Sequence, residues 1–258
     1  MSGDGDVNKT PDFGEHKAET PKDKSMDSLS DFITTRDGVN LAVEVYLPKG
    51  LGQDGDIPAL LIQTRYWRAM ELRAPFKWFL NADNLNPRTK DFKPFFTSQG
   101  YALVYVDVRG TGASFGSWPY PWDPDSIEDA REIVEWIINQ PWSNGKVGGF
   151  GISYLGTTAE LLPVPNHPAV KAVIPQFNHP DVYIDIGFPG GVFNERFVRE
   201  WGHLDEQLDN NIVPDLFGYA GRLVVKGVNP VDVPGGRHLL KDALKQHQEN
   251  AIVFDLAK

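Results

Sequence analysis

The chain contains no cysteine. Disulfide scaffolds, thiolate zinc sites and cysteine nucleophiles are therefore excluded together, and cysteine usage says nothing about redox compartment. Positive charge is also short. Against 35 Asp and Glu stand only 25 Lys and Arg, for a formal charge of −10, whereas a nucleic-acid partner calls for a basic face. No apolar run reaches the ~18 residues of a membrane-spanning helix. The first residues lack the charged-then-apolar pattern of a signal peptide, which points to a cytoplasmic location.

What is present suits a globular, enzyme-like body. Hydrophobic residues make up 41% and aromatics 12%, with seven Trp and fifteen Phe, enough for a substantial core. At 258 residues the chain exceeds the ~150 of a common domain but fits one large α/β unit.

Residues 1–28 are rich in Asp, Lys, Gly, Thr and Pro and read as a flexible tail that cannot offset its ordering entropy. Asp31–Arg36, the Asp37-Gly38 turn and Val39–Leu47 predict a β-hairpin. Ile57–Thr64 and Tyr101–Val108 are short apolar runs suited to strands buried on both faces, with a short helix expected around Phe92–Ser98. Asp125–Gln140 sets Ile127, Ala130, Ile133, Val134 and Ile137 on one helical face, with acids in its first turn. A strand over Lys146–Ile152, a helix over Leu155–Leu162 and a strand over Val170–Pro175 follow. This alternation implies an α/β fold, a mostly parallel sheet with helices on both faces and a leading antiparallel hairpin. Beyond residue 176 the alternation stops, and Asn194–Leu208 and Arg237–Asn250 read as helices.

Gly149-Phe-Gly151-Ile-Ser153-Tyr-Leu-Gly156 falls where a buried strand meets a helix. A nucleophile elbow needs this setting: the Ser sits on a strained turn, and small neighbours let the backbone pass closely. The N–H of Tyr154, at the helix start, then points at a developing oxyanion. The usual G-x-S-x-G is not met, because Leu155 stands where the second Gly is expected and Gly156 follows it. On composition a Ser in a Gly-rich turn is more often structural than catalytic; placement between a core strand and a helix reverses that balance.

Further motifs are Thr35-Arg36-Asp37-Gly38 with Leu41, Arg65-Tyr66, Gly100-Tyr101, Asp107-Val-Arg109-Gly110-Thr-Gly112-Ala-Ser114, and Trp142-Ser-Asn-Gly145-Lys-Val-Gly148. With Gly151-Ile-Ser153-Tyr154-Leu-Gly156, these resemble the X-prolyl dipeptidyl-peptidase and cocaine-esterase (CocE/NonD) family of α/β-hydrolases, from about residue 31 onward. The resemblance implies a serine hydrolase that cleaves an ester or amide through an acyl-enzyme, with Ser153 as nucleophile. It accounts for the departure above, since the family's motif is G-x-S-Y-x-G. It also implies that the Tyr66 hydroxyl joins the Tyr154 N–H as oxyanion donor. Small esters or X-Pro peptides are the implied substrates, and no metal or organic cofactor is called for. Asp107 and Arg109 read as loop architecture, Arg109 pairing with a carboxylate.

A serine nucleophile needs a base and a group to orient it. The candidates are His16, His167, His179, His203, His238 and His247. Arg222–Gly227 followed by Asp232 looks like a strand and acid loop, yet His238 and His247 lie too close behind it, and Asp255 has no His after it. The family resemblance implies instead a helical cap inserted after Val170–Pro175, with the acid and histidine beyond it. The expected organisation is a tail over 1–28, a core over 29–178 and a partial cap over 179–258, the chain stopping before the remaining triad members. Two rival readings stand beside this one: a non-catalytic fragment or pseudoenzyme that keeps a cleft, and a dinucleotide-binding domain. The latter is weak, because Tyr154 and Phe115 occupy the third-glycine positions of its two candidate loops.

Overall fold

A computed structural model describes residues 25–51, 55–85 and 90–257. The expected tail falls outside the described residues as far as residue 24. In chain order the elements are β1 (Met26–Thr34), β2 (Asn40–Pro48), β3 (Ile57–Thr64), β4 (Met70–Leu72), α1 (Phe92–Ser98), β5 (Ala102–Asp107) and α2 (Pro124–Ile138). They continue with β6 (Ser143–Ile152), α3 (Tyr154–Leu161), β7 (Val170–Gln176), α4 (Glu195–Asp209), α5 (Gly218–Val224), β8 (Val225–Val228), α6 (Gly236–Gln246) and α7 (Val253–Leu256).

Six strands form one sheet in the order β1-β2-β5-β3-β6-β7. The hairpin β1–β2 is antiparallel, β2 meets β5 antiparallel, and β5, β3, β6 and β7 run parallel. The apolar runs read as buried strands because both faces are covered. Leu41, Val43, Val45, Leu61, Val104 and Val106 face a core closed by Ile133, Val134 and Ile137 of α2 and by Leu162. Tyr46, Ile62, Leu103 and Phe150 face the other way, against Phe92 and Phe96 of α1. Helix α2 starts where Asp123 accepts the N–H groups of Asp125 and Ser126, with Pro124 at its first position, a well-matched N-cap.

Two expectations are corrected. The first strand runs Met26–Thr34 rather than Asp31–Arg36; its outer residues are polar and largely exposed, so no apolar alternation marks them. Arg222–Gly227 is not a strand of the main sheet. Its first half ends α5, and β8 pairs antiparallel with β4 in a separate two-stranded sheet, so its following loop does not occupy a triad-acid position beside β7.

The motifs around residues 35–38 and 107–114 are internal braces. Arg109 binds Asp37 at 2.6 Å and Asp129 of α2 at 2.7 Å, as expected of a paired arginine, and Arg36 reaches Asp129 at 2.9 Å. The fully buried Asp107 carboxylate accepts the N–H groups of Arg68 and Ala113. Gly112 must be glycine twice over: its φ is +58°, and a Cβ would lie 2.2 Å from that carboxylate. No helix among the described residues is long and apolar enough to cross a membrane.

Candidate active site

The sheet order places a switch point between β3 and β6. From β3 the chain leaves toward β5, while from β6 it leaves toward β7, so a crevice opens at the carboxyl ends of β3 and β6, where ligands of such sheets bind. Tyr66 follows β3 there and Ser153 follows β6.

Ser153 has φ 61° and ψ −122°, a region populated almost only by glycine and held by its surroundings at a cost of ~1–3 kcal/mol. The surroundings are specific. Its N–H donates to the carbonyl of Gln176 in β7 (2.9 Å), and its own carbonyl accepts the N–H of Thr157 (3.0 Å). A Cβ on Gly151 would stand 2.0 Å from the Leu155 carbonyl, and one on Gly156 2.3 Å from the Gln176 carbonyl. The second glycine is thus fixed at position 156 by the approach of β7. Leu155 is free to carry a side chain, which packs with Phe150.

Ser153 and Tyr66 line one cavity of about 330 Å³, with Ile62, Met70, Phe92, Phe150 and Leu155 among its apolar walls. Tyr154 is the first residue of α3, where a backbone N–H has no partner within the helix. Its ring meets Tyr66 edge-on at 5.8 Å and stacks on Trp122 at 4.5 Å. The three residues expected at the site are therefore brought together. Burial, with Asp205 adding to it, pushes the Tyr66 phenol up to about 12.

Beneath them lies a cluster that the sequence did not announce. Arg65, 1% exposed, sits under the rings of Trp118, Trp201 and Tyr154 at 4.9, 5.7 and 5.8 Å. It approaches Asp205 at 2.9 Å and Asp209 at 3.4 Å, both on α4. Burial pushes the Asp205 carboxyl up to about 8 against the pull of Arg65, since one cation faces two carboxylates in a dry setting. Trp201, Asp205 and Leu208 with Asp209 recur at helical spacing; that stripe was the available signal.

Among the described residues no histidine is hydrogen-bonded to Ser153. His167 pairs with Glu135, His203 with Asp215 and His238 with Asp242. His247 is buried between the carbonyls of Asp209 and Ser114. His179, just beyond β7, donates its backbone N–H to Thr157. His16 lies outside the described residues, and the exposed Asp232 lines a different cavity, between β1 and α6.

The family model for X-Pro dipeptidyl-peptidase (S15 family) matches residues 37–247. The chain belongs to this family. It is 43% identical over 239 residues to a protein named as a serine esterase in Mycobacterium tuberculosis (strain CDC 1551 / Oshkosh), an alignment covering 92% of this chain and 38% of the relative. The cocaine esterase of Rhodococcus sp. (strain MB1 Bresler) is 33% identical over 67% of this chain and 27% of its own length. Among solved structures, a CocE/NonD family hydrolase from Staphylococcus aureus superposes with TM-score 0.60 at 28% identity, covering 74% of this chain and 35% of that one. The chain shares the α/β-hydrolase fold of these neighbours. It spans about two fifths of the length of the mycobacterial relatives it matches.

Proposed function

We propose that this chain is the nucleophile-bearing part of a serine hydrolase that cleaves small esters or X-Pro amides through an acyl-enzyme on Ser153. The observation that carries the reading is the strained Ser153 elbow, set at the switch point in one cavity with Tyr66. Ser153 Oγ adds to the substrate carbonyl carbon and its proton passes to a base. The resulting oxyanion is held by the Tyr154 N–H and the Tyr66 O–H, each such donor being worth ~3 kcal/mol in the barrier. The leaving alcohol or amine departs with a proton, and water then releases the acyl group. The apolar walls suit an apolar acyl or leaving group.

None of the described histidines meets Ser153, so on this reading the base and its orienting acid are supplied from outside the described residues. The glycines of the dinucleotide-like loops serve packing instead: a Cβ on Gly149 would meet Leu162 at 2.8 Å.

The test is a chimera in which this chain is continued by the remaining C-terminal part of the Mycobacterium tuberculosis relative. Aryl-ester hydrolysis is expected, abolished by Ser153→Ala and lowered ~10²-fold in kcat by Tyr66→Phe. Turnover that survives Ser153→Ala, or a folded chimera without turnover, refutes the reading.

A further inference from the structure

We infer that Trp201 is a positioning residue for the Tyr66 hydroxyl, donating its indole N–H to the phenol oxygen so that the phenol proton is aimed into the Ser153 cavity. The inference rests on the reading of Tyr66 as an oxyanion donor and adds what makes it one.

Trp201 Nε1 lies 3.0 Å from Tyr66 Oη. An indole nitrogen only donates, whereas a phenol both donates and accepts. The direction of this bond is therefore settled: Trp201 gives and Tyr66 receives. Among the described residues the Tyr66 O–H has no acceptor of its own, and Tyr66 lines the cavity that holds Ser153. A hydroxyl without such a donor could turn its oxygen toward the substrate oxyanion, which would repel rather than stabilise it. Accepting from Trp201 also polarises the phenol and strengthens the bond it donates.

Trp201 is itself held on three sides. Its ring stacks on Trp122 at 6.1 Å and on Phe197 at 6.3 Å, and the Arg65 guanidinium lies 5.7 Å from its centroid. Asp205, one turn further along α4, fastens the same helix to Arg65 at 2.9 Å. The groups facing the phenol are thus Trp201 and Asp205 from α4, Arg65 from its own segment and Tyr154 from α3. Of these, Arg65 and Trp201 favour the phenolate while burial and Asp205 oppose it.

The experiment uses the 258-residue chain carrying 3,5-difluorotyrosine, whose lower phenol ionisation is reached while the protein stays folded. Fluorine NMR identifies the Tyr66 signal by its loss in Tyr66→Phe. Trp201→Phe, which keeps a ring in the stack, is expected to raise the Tyr66 ionisation midpoint by at least ~0.5 pH unit, a threefold change in the equilibrium. An unmoved midpoint overturns the proposal. The partner side is read independently by proton–nitrogen NMR: Tyr66→Phe is expected to shift the Trp201 indole N–H and quicken its exchange, and an unchanged signal again overturns it. In the chimera described above, Tyr66→Phe tests the oxyanion role separately. If it leaves kcat unchanged, that role fails, whatever the NMR shows of the Trp201–Tyr66 bond.

Discussion

Gly156→Ala is the substitution that most directly tests why this elbow departs from the common spacing. On helix propensity alone the change is favourable, since Ala gains ~1 kcal/mol over Gly inside a helix. The structure reverses the sign. A Cβ at 156 would stand 2.3 Å from the Gln176 carbonyl oxygen, about an ångström inside ordinary contact, and 3.3 Å from Asn178 Cβ. The obstacle is backbone of β7, which cannot swing aside as a side chain would. Relief requires α3 and β7 to separate, which costs ~1–3 kcal/mol as overpacking. The same movement stretches the Ser153 N–H bond to Gln176, now 2.9 Å, and forfeits ~1 kcal/mol more.

With the propensity gain set against these, we expect a net loss of ~1–3 kcal/mol. Urea unfolding at constant slope measures it, and for a chain of this size the melting temperature should fall by ~2–12 °C. Leu155→Gly, which would create the common G-x-S-x-G, should not restore a Gly156→Ala variant, because the crowding is at 156. A Gly156→Ala protein as stable as the parent, or one rescued by Leu155→Gly, refutes the assignment of that glycine to the approach of β7.

Other expectations follow from the same geometry. Ser153→Gly should be more stable than Ser153→Ala by ~1 kcal/mol in urea unfolding, because glycine accepts φ 61°, ψ −122° without strain. Equal stabilities would mean that the elbow stores none. Asp129→Ala removes one of the two carboxylates that hold Arg109, leaving it Asp37 alone, and should cost ~2 kcal/mol; a loss below ~0.5 kcal/mol would show the brace to be dispensable. Asp205 gives a pH signature. Burial holds its carboxyl at about 8 in the folded chain, above the ~3.9 of an unfolded Asp, so the folded state binds the extra proton. That contribution is full below ~pH 4 and is lost as pH climbs through ~8. Urea midpoints should therefore decline from about pH 5 to about pH 9 and flatten over that window in Asp205→Asn. An equal decline in the variant would refute the shift.

Where the sequence was legible, the constraint was local. Ile57–Thr64 and Phe92–Ser98 lie on their expected bounds, because a strand buried on both faces and a short aromatic helix declare themselves in consecutive residues. The elbow was legible for the same reason: strand, Ser and helix start are contiguous, and both glycines answer to backbone within a few ångströms. Strand β1 was misplaced because its outer half is exposed and carries no apolar period. The 222–227 segment was ambiguous because the apolar run Leu223–Val225 suits helix end or strand equally, and only its pairing with β4 decides.

The Arg65 box shows the opposite limit. Its members come from four separate stretches of chain: Arg65, Trp118 with Trp122, Tyr154, and Trp201 with Asp205 and Asp209 on α4. Read singly, Trp201 is an aromatic on a polar helix and Asp205 a solvated acid. Together they bring a buried guanidinium, two carboxylates and four rings to the underside of Tyr66 and Tyr154. A solvated Asp would gain little from such a place, and a buried one unopposed would lose several kcal/mol. Arg65, at the end of β3, is the cation that faces both acids where α4 docks. The consequence reaches the chemistry. Helix α4 brings Trp201 to the Tyr66 oxygen by the same contacts that set Asp205 and Asp209 against Arg65, so on the proposed mechanism the oxyanion site is completed by residues 135 positions apart. Loosening α4 should then lower kcat in the completed enzyme before it unfolds the sheet.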